Sequence, residues 1–160
     1  SNSDYKSLYH GPKPIVENFE NYEKEVEYID EYIKILKQED ANSRICLVAR
    51  TQKIVDSYSR YFTDKNISTV KISRNTKDNV SNNDVRLATM HRVKGLDFDH
   101  VIIASMNDGV VPLRVSEKSD EKQIEDEKLL KEKSLVFVAA TRAKKSLLVT
   151  SYGVKSKIMN

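Results

Sequence analysis

This 160-residue chain has no tryptophan and is poor in cysteine, glycine and proline, with one, four and three copies. The single Cys46 has no partner for an internal disulfide, and its place in the apolar run 45–49 predicts a small buried hydrophobe. No apolar run approaches the roughly 20 residues of a membrane span, and the first residues lack a basic and apolar leader. We therefore expect a cytoplasmic protein with no membrane partner and no metal site.

Charge of either sign is not in excess. The 27 basic and 24 acidic residues leave a net charge of +3, so any surface for nucleic acid must be a local basic patch. The 39% hydrophobic and 32% charged content is ordinary for one globular domain. The chain opens on Ser1 without an initiating methionine, and we expect it to be a piece of a longer protein.

Apolar periodicity divides the chain into alternating helices and strands. Steps of three and four residues predict helices over 19–36, 54–62 and 120–140, and short apolar runs predict strands over 45–49, 69–72, 85–90, 101–104 and 146–151. Most strands are apolar on both faces, which predicts a parallel sheet covered by helices, the α/β class. The first helix has spacing that also fits a short coiled-coil seam, although packing on the sheet is favoured.

Two stretches place reactive groups beside buried segments. The first is TMHRVKGLDF at 89–98, a polar turn between two strands. The second is VAATRA at 138–143, which carries Arg142 between an apolar helix and the last strand and follows Glu132 and Lys133. They resemble motifs V and VI of the UvrD/Rep/PcrA-like superfamily 1A DNA helicases, and the chain resembles the C-terminal part of their second RecA-like motor domain, called 2A.

The resemblance implies one group of residues for ATP with Mg²⁺. Arg142 corresponds to the family's arginine finger, a forked and permanently charged group suited to the charge of phosphoryl transfer. Gly95 corresponds to a backbone position beside the nucleotide. Asp97 stands where the family has a glutamate that accepts from the ribose hydroxyl, and it is one methylene shorter. The alternative for Arg142, with Lys144 and Lys145, is a complement to a helix C-terminus.

A second group is implied for single-stranded DNA. Thr89, His91 and Lys94 match family positions that face the phosphates, although Lys94 also fits the nucleotide side or a carboxylate of its own domain. Three further residues of this group, Arg50, Thr51 and Gln52, follow the predicted strand at 45–49 and correspond to the family's motif IVa. Taken on their own, these three residues favour the alternative of a helix-capping Thr51 beside a solvated Arg50.

No phosphate loop of the pattern G-x-x-x-x-G-K-[ST] is present, so the isolated chain is predicted to be inactive in ATP hydrolysis. We expect a flexible segment over 1–10, the 2A domain over 11–153 and a frayed C-terminal tail over 154–160. The loop at 73–84 stands where larger relatives insert a 2B domain, so we expect that insertion to be absent or reduced to this loop.

The expected role is that of a motor-domain fragment of an ATP-dependent 3′ to 5′ DNA helicase or translocase, with DNA repair as the expected setting. Its expected partners are single-stranded or tailed DNA and the 1A motor domain of the same protein, which would hold most of the ATP and Mg²⁺. Alternatives are part of a helicase-nuclease, an RNA-acting relative, or a non-enzymatic nucleic-acid or protein-interaction module that keeps the motor fold.

Overall fold

The core of the molecule is a six-stranded sheet in which every neighbouring pair is parallel. The computed structural model of the chain describes residues 10–74, 83–114 and 122–159. The strands in chain order are β1 Ile15–Phe19, β2 Ile45–Ala49, β3 Thr69–Lys71, β4 Val85–Thr89, β5 Phe98–Ile103 and β6 Ala143–Tyr152. They lie in the order β1-β6-β5-β2-β4-β3, which confirms the predicted α/β class with a parallel sheet.

Helices cover both faces of this sheet. They are α1 Tyr22–Glu39, α2 Gln52–Asp64 and α3 Lys122–Ala140, followed after β6 by a short 3₁₀ helix, Lys157–Met159. Apolar residues of α1 and α2 share one core cluster with the sheet, so α1 packs on the sheet, as favoured over a coiled coil. The C-terminal part of α3 shares the opposite cluster with the segment after β4. Within the described ranges, no helix is both long and apolar enough to cross a membrane.

Strand β2 shows why the sheet is buried on both sides. All five of its residues are buried. Ile45, Leu47 and Ala49 face the cluster with α1 and α2, while Cys46 and Val48 face the other cluster, because successive side chains alternate across a strand. Cys46 is buried and forms no disulfide, as predicted.

One strand was missed by the sequence reading. Residues Ile15–Phe19 form β1, whereas the predicted first helix began at residue 19; the helix begins at Tyr22, after the cap at Asn21. Four of the five β1 residues are exposed, so the strand has no buried apolar pattern to reveal it. Its pairing with β6, from Ile15 opposite Leu148 to Phe19 opposite Tyr152, defines it instead.

The expectation of a frayed tail is wrong for residues 154–159. The backbone N–H of Asp108 donates to the carbonyl of Val154 at 2.9 Å, and that of Ser156 donates to Met106 at 2.8 Å. Ser156 is fully buried and its hydroxyl donates to the Val111 carbonyl. The predicted flexible segment at 1–10, most of the loop at 73–84 and the start of the third helix lie outside the described residues.

Candidate functional site

Apart from Lys94, the two predicted groups of site residues lie at opposite edges of the sheet. Because the strands are parallel, all their carboxyl ends lie at one edge and all their amino ends at the other. The DNA group follows the carboxyl ends of β2 and β4, where Ala49 pairs with Thr89. Arg142 precedes the amino end of β6, where Ala143 pairs with Phe98 of β5. A five-residue strand spans roughly 17 Å, which sets the scale of the separation between the edges.

The segment of residues 90–97 runs from the carboxyl edge to the amino edge and contains residues of both predicted groups. It leaves β4 at the carboxyl edge, where the Met90 N–H donates to the Ala49 carbonyl at 3.0 Å, and it enters β5 at the amino edge. Two turns shape it, closed by Arg92 N–H to the Thr89 carbonyl and by Leu96 N–H to the Val93 carbonyl, both at 3.0 Å. Met90 and Val93 are buried in the cluster beneath α3. The segment is therefore held against the sheet along its path.

Arg142 lies at the amino edge, just beyond the end of α3. Its Nε donates to the carbonyl of Val138 at 3.3 Å, and its Nη2 donates to Oγ1 of Thr141 at 3.1 Å. The side chain thus complements the helix C-terminus, which is the alternative that the sequence left open. Within residues 10–74, 83–114 and 122–159, no carboxylate forms an ion pair with Arg142. Its half-buried guanidinium remains suited to an anionic ligand.

Gly95 and Asp97 lie beside Arg142. The Phe98 N–H, next to Asp97 in the chain, donates to the Arg142 carbonyl at 2.9 Å. Gly95 has φ +82°, a conformation that favours glycine, and a Cβ placed there would meet no described atom within 4 Å. The outer side of this turn is open, and Asp97 is exposed. The structure therefore brings the three predicted nucleotide residues together at one edge.

Thr89 and His91 lie at the opposite edge. Thr89 is half-buried at the end of β4, and His91 is exposed in the first turn of the 90–97 segment. Lys94 is also exposed but belongs to the second turn, together with Gly95. The DNA roles of all three remain predictions, and Lys94 is the one placed nearer to the nucleotide group along the chain.

The three residues after β2 have partners within the domain. Thr51 caps α2, with Oγ1 accepting from the Ile54 N–H at 3.3 Å. The Nε2 of Gln52 donates to Oδ1 of Asp56 at 3.0 Å. Arg50 is not solvated, contrary to one of the alternatives, because it forms an ion pair with Glu132 of α3. Their DNA roles remain predictions, now in competition with these contacts.

Sequence reasoning missed a buried polar cluster near the carboxyl edge. Glu25 of α1 is fully buried, and its carboxylate accepts from the Tyr58 hydroxyl, from the Ser105 N–H at 3.1 Å and from Oγ1 of Thr150 at 2.9 Å. The signal was available, since Glu25 lies between apolar Tyr22 and Ile29 at the helical steps of three and four residues. In the described part of the chain, no group of three or more His, Cys, Asp or Glu side chains is placed to hold a metal ion.

Parts of this chain are similar in sequence to known DNA helicases. The chain is 35% identical over 95 residues to a probable DNA helicase II homolog of Mycoplasma genitalium. These aligned residues are 59% of this chain and 12% of that protein. It is 37% identical over 71 residues to the ATP-dependent DNA helicase Rep of Buchnera aphidicola, covering 44% of this chain and 10% of that protein. The chain therefore spans about a tenth of the length of these relatives.

A solved structure extends the likeness to nearly the whole chain. The C-terminal domain of a possible DNA helicase from Lactobacillus plantarum superposes with a TM-score of 0.72, covering 99% of this chain and 88% of that chain at 18% identity. This likeness concerns the fold. The family model described as the UvrD-like helicase C-terminal domain matches residues 68–153, which include the 90–97 segment, α3 and Arg142. Because that match covers more than half of the chain, the protein belongs to the UvrD-like helicase C-terminal domain family.

Proposed function

We propose that this chain is the C-terminal part of the second motor domain of an ATP-dependent DNA helicase or translocase that moves 3′ to 5′. In this role it completes an ATP site and contacts single-stranded DNA. The observation that carries the proposal is the 90–97 segment, which joins the edge of His91 to the edge of Gly95 and Arg142. The names of the helicase II and Rep relatives support an ATP-dependent DNA helicase. DNA repair is the proposed setting.

The nucleotide side would use Arg142, Gly95 and Asp97. Arg142 has no acidic partner among the described residues and lies beside an open turn, so the group fits a triphosphate. When bound, ATP with Mg²⁺ would supply the transferable γ-phosphoryl group, and the other motor domain would hold most of both. Among the described residues, the Arg142 side chain would give up its bonds to Val138 and Thr141 to reach a phosphate.

The DNA side would bind phosphates without reading base sequence. The hydroxyl of Thr89 and the imidazole of His91 suit contacts to a strand backbone, and Lys94 adds a positive charge. Thr51 and Gln52 extend this edge at the start of α2. Closure of the cleft between the two motor domains would move this domain as one rigid body, so its nucleotide edge and its DNA edge would change position at the same time.

Replacement of Arg142 tests the proposal in the full-length protein. We expect Arg142→Ala to lower ATP turnover by about 10³ or more while ATP binding is retained, because the lost group acts on the developing charge. Steady-state ATPase kinetics and nucleotide binding, each with single-stranded DNA present, measure the two effects.

Lys144→Ala removes an exposed cation two residues away and is the matched control. Turnover of Arg142→Ala close to that of the control would contradict the finger assignment. Absence of ATP turnover in the unaltered full-length protein would favour the non-enzymatic module instead.

A further inference from the structure

The ion pair between Arg50 and Glu132 joins two elements that are far apart in the chain. Nε of Arg50 lies 3.1 and 3.0 Å from the two oxygens of Glu132, and Nη2 lies 2.8 Å from one of them. The two side chains are only 15% and 12% exposed. Such a forked, charge-assisted contact restricts the orientation of both partners as well as their distance.

The position of each partner relates the pair to both edges of the sheet. Arg50 follows β2 directly, one residue after Ala49, whose carbonyl is bonded by Met90 at the carboxyl edge. Glu132 lies in the middle of α3, eight residues before the helix ends at Ala140. Eight residues of helix span about 12 Å, and Arg142 follows at the amino edge.

Apolar packing holds α3 only weakly. Of the helix residues, only Ala139 is buried, while Leu135, Val136 and Ala140 are partly buried against the core cluster. Residues 122–131 are exposed apart from the half-buried Leu129. Because this buried apolar surface is small, a forked and directional contact adds to what fixes the position and rotation of the helix. The Arg50–Glu132 pair is such a contact, and it lies at the middle of the helix.

We propose that Glu132 and Arg50 are positioning residues, which hold α3 in the register that places Arg142 beside the Gly95 turn. The proposal rests on the proposed function, since Arg142 must act on a nucleotide for its position to matter. In this arrangement the guanidinium of Arg50 serves Glu132, and DNA phosphates are contacted by other groups at that edge.

ATPase kinetics of the full-length protein test the pair. We expect Glu132→Gln to lower kcat by about 10-fold to 100-fold with KM for ATP nearly unchanged, because a small displacement of a catalytic group has effects of that size. Exchange of the two residues, Arg50→Glu with Glu132→Arg, should restore most of kcat by re-forming the pair. Glu125→Gln, on an exposed position in the first turn of α3, is the matched control.

Two outcomes would overturn the proposal. The first is an unchanged kcat in Glu132→Gln. The second is an exchange variant that stays inactive and loses affinity for single-stranded DNA, which would assign Arg50 to DNA.

Amide hydrogen exchange on the 160-residue chain separates this proposal from the proposed function. We expect faster exchange over residues 132–140 in Glu132→Gln and a return toward the original rate in the exchange variant, since the anchor is lost and then restored. If the unaltered full-length protein has no ATPase activity, the proposed function fails, and hydrogen exchange alone decides whether the pair positions α3. Unchanged exchange rates over 132–140 would then overturn the positioning role as well.

Discussion

At the scale of single residues, the most unusual group is the buried carboxylate of Glu25. It connects α1 to Tyr58 of α2, to Ser105 after β5 and to Thr150 of β6. Ser105 has φ +56°, an uncommon conformation for a residue with a side chain, and its N–H is held by Glu25. Burial raises the pKa of Glu25 above its ordinary value of 4.5, although the three donors oppose the shift. The Glu25 carboxyl group thus stabilises the turn after β5 and makes the free energy of unfolding depend on pH.

The pKa shift of Glu25 determines the sign of that pH dependence. Below pH 4.5 the group carries its proton in both the folded and unfolded states. As the pH rises above 4.5, the unfolded chain releases the proton first, so the free energy of unfolding falls through the window up to the folded-state pKa. We expect Glu25→Gln to remove this part of the slope. Urea unfolding at a series of pH values between about 4 and 8 measures the difference between the two proteins.

Glu23→Gln, on an exposed position of the same helical turn, is the control for that comparison. If the free energies of unfolding of the original protein and of Glu25→Gln change in parallel over the whole pH range, the pKa of Glu25 is not raised in the folded protein.

At the scale of elements, the start of α2 has a structural role that is separable from DNA contact. Thr51 has extended backbone at the N-cap, and its hydroxyl accepts from Ile54 at 3.3 Å. Helix α2 contributes Val55, Tyr58 and Phe62 to the core. Loss of the N-cap bond therefore affects the packing of α2 on the sheet as well as the carboxyl edge, where α2 begins.

We expect Thr51→Ala to lower the free energy of unfolding by about 1 kcal/mol, because an unsatisfied N–H remains at the helix start. Thr51→Ser keeps the hydroxyl acceptor and should stay within a few tenths of a kcal/mol of the original protein. Chemical denaturation of the three chains measures both changes. Equal losses in the two variants would show that the methyl group of Thr51, and not its hydroxyl, stabilises this turn.

At the scale of the whole molecule, the separation of the two edges predicts separable functions. His91 lies at the carboxyl edge and Arg142 at the amino edge, with the length of the sheet between them. A change at one edge should therefore act directly on its own ligand and only indirectly on the other, through the elements that join the two edges.

In the full-length protein, we expect His91→Ala to weaken binding of a single-stranded oligonucleotide severalfold while basal ATP turnover without DNA stays nearly unchanged. Arg142→Ala should show the reverse pattern. Fluorescence anisotropy at several salt concentrations and ATPase assays measure the two, since phosphate contacts weaken as salt rises. His10→Ala removes an exposed histidine that precedes β1 and has no predicted ligand role, and it is the control. Equal DNA affinity of His91→Ala and His10→Ala would remove His91 from the DNA side.

The sequence by itself determined the class of the fold and the motifs. The run Ile45–Ala49 is apolar at every position, which indicates a strand buried on both faces, and several such runs alternating with helices predicted a parallel sheet. The residues at 89–98 and 138–143 led to the helicase family because the chemistry of these turns requires particular side chains at fixed spacing. Such features are local, so they can be read without knowing what lies opposite them.

Only the tertiary structure decided the features that depend on partners far along the chain. Strand β1 exists because its backbone pairs with β6, and its exposed side chains carry no apolar pattern. Arg50 faces Glu132, 82 residues away, instead of solvent, and the tail is anchored by its bonds to the turn after β5. In each case the deciding interaction is a hydrogen bond or ion pair between distant segments, and neither the identity nor the spacing of local residues encodes which partner will be met.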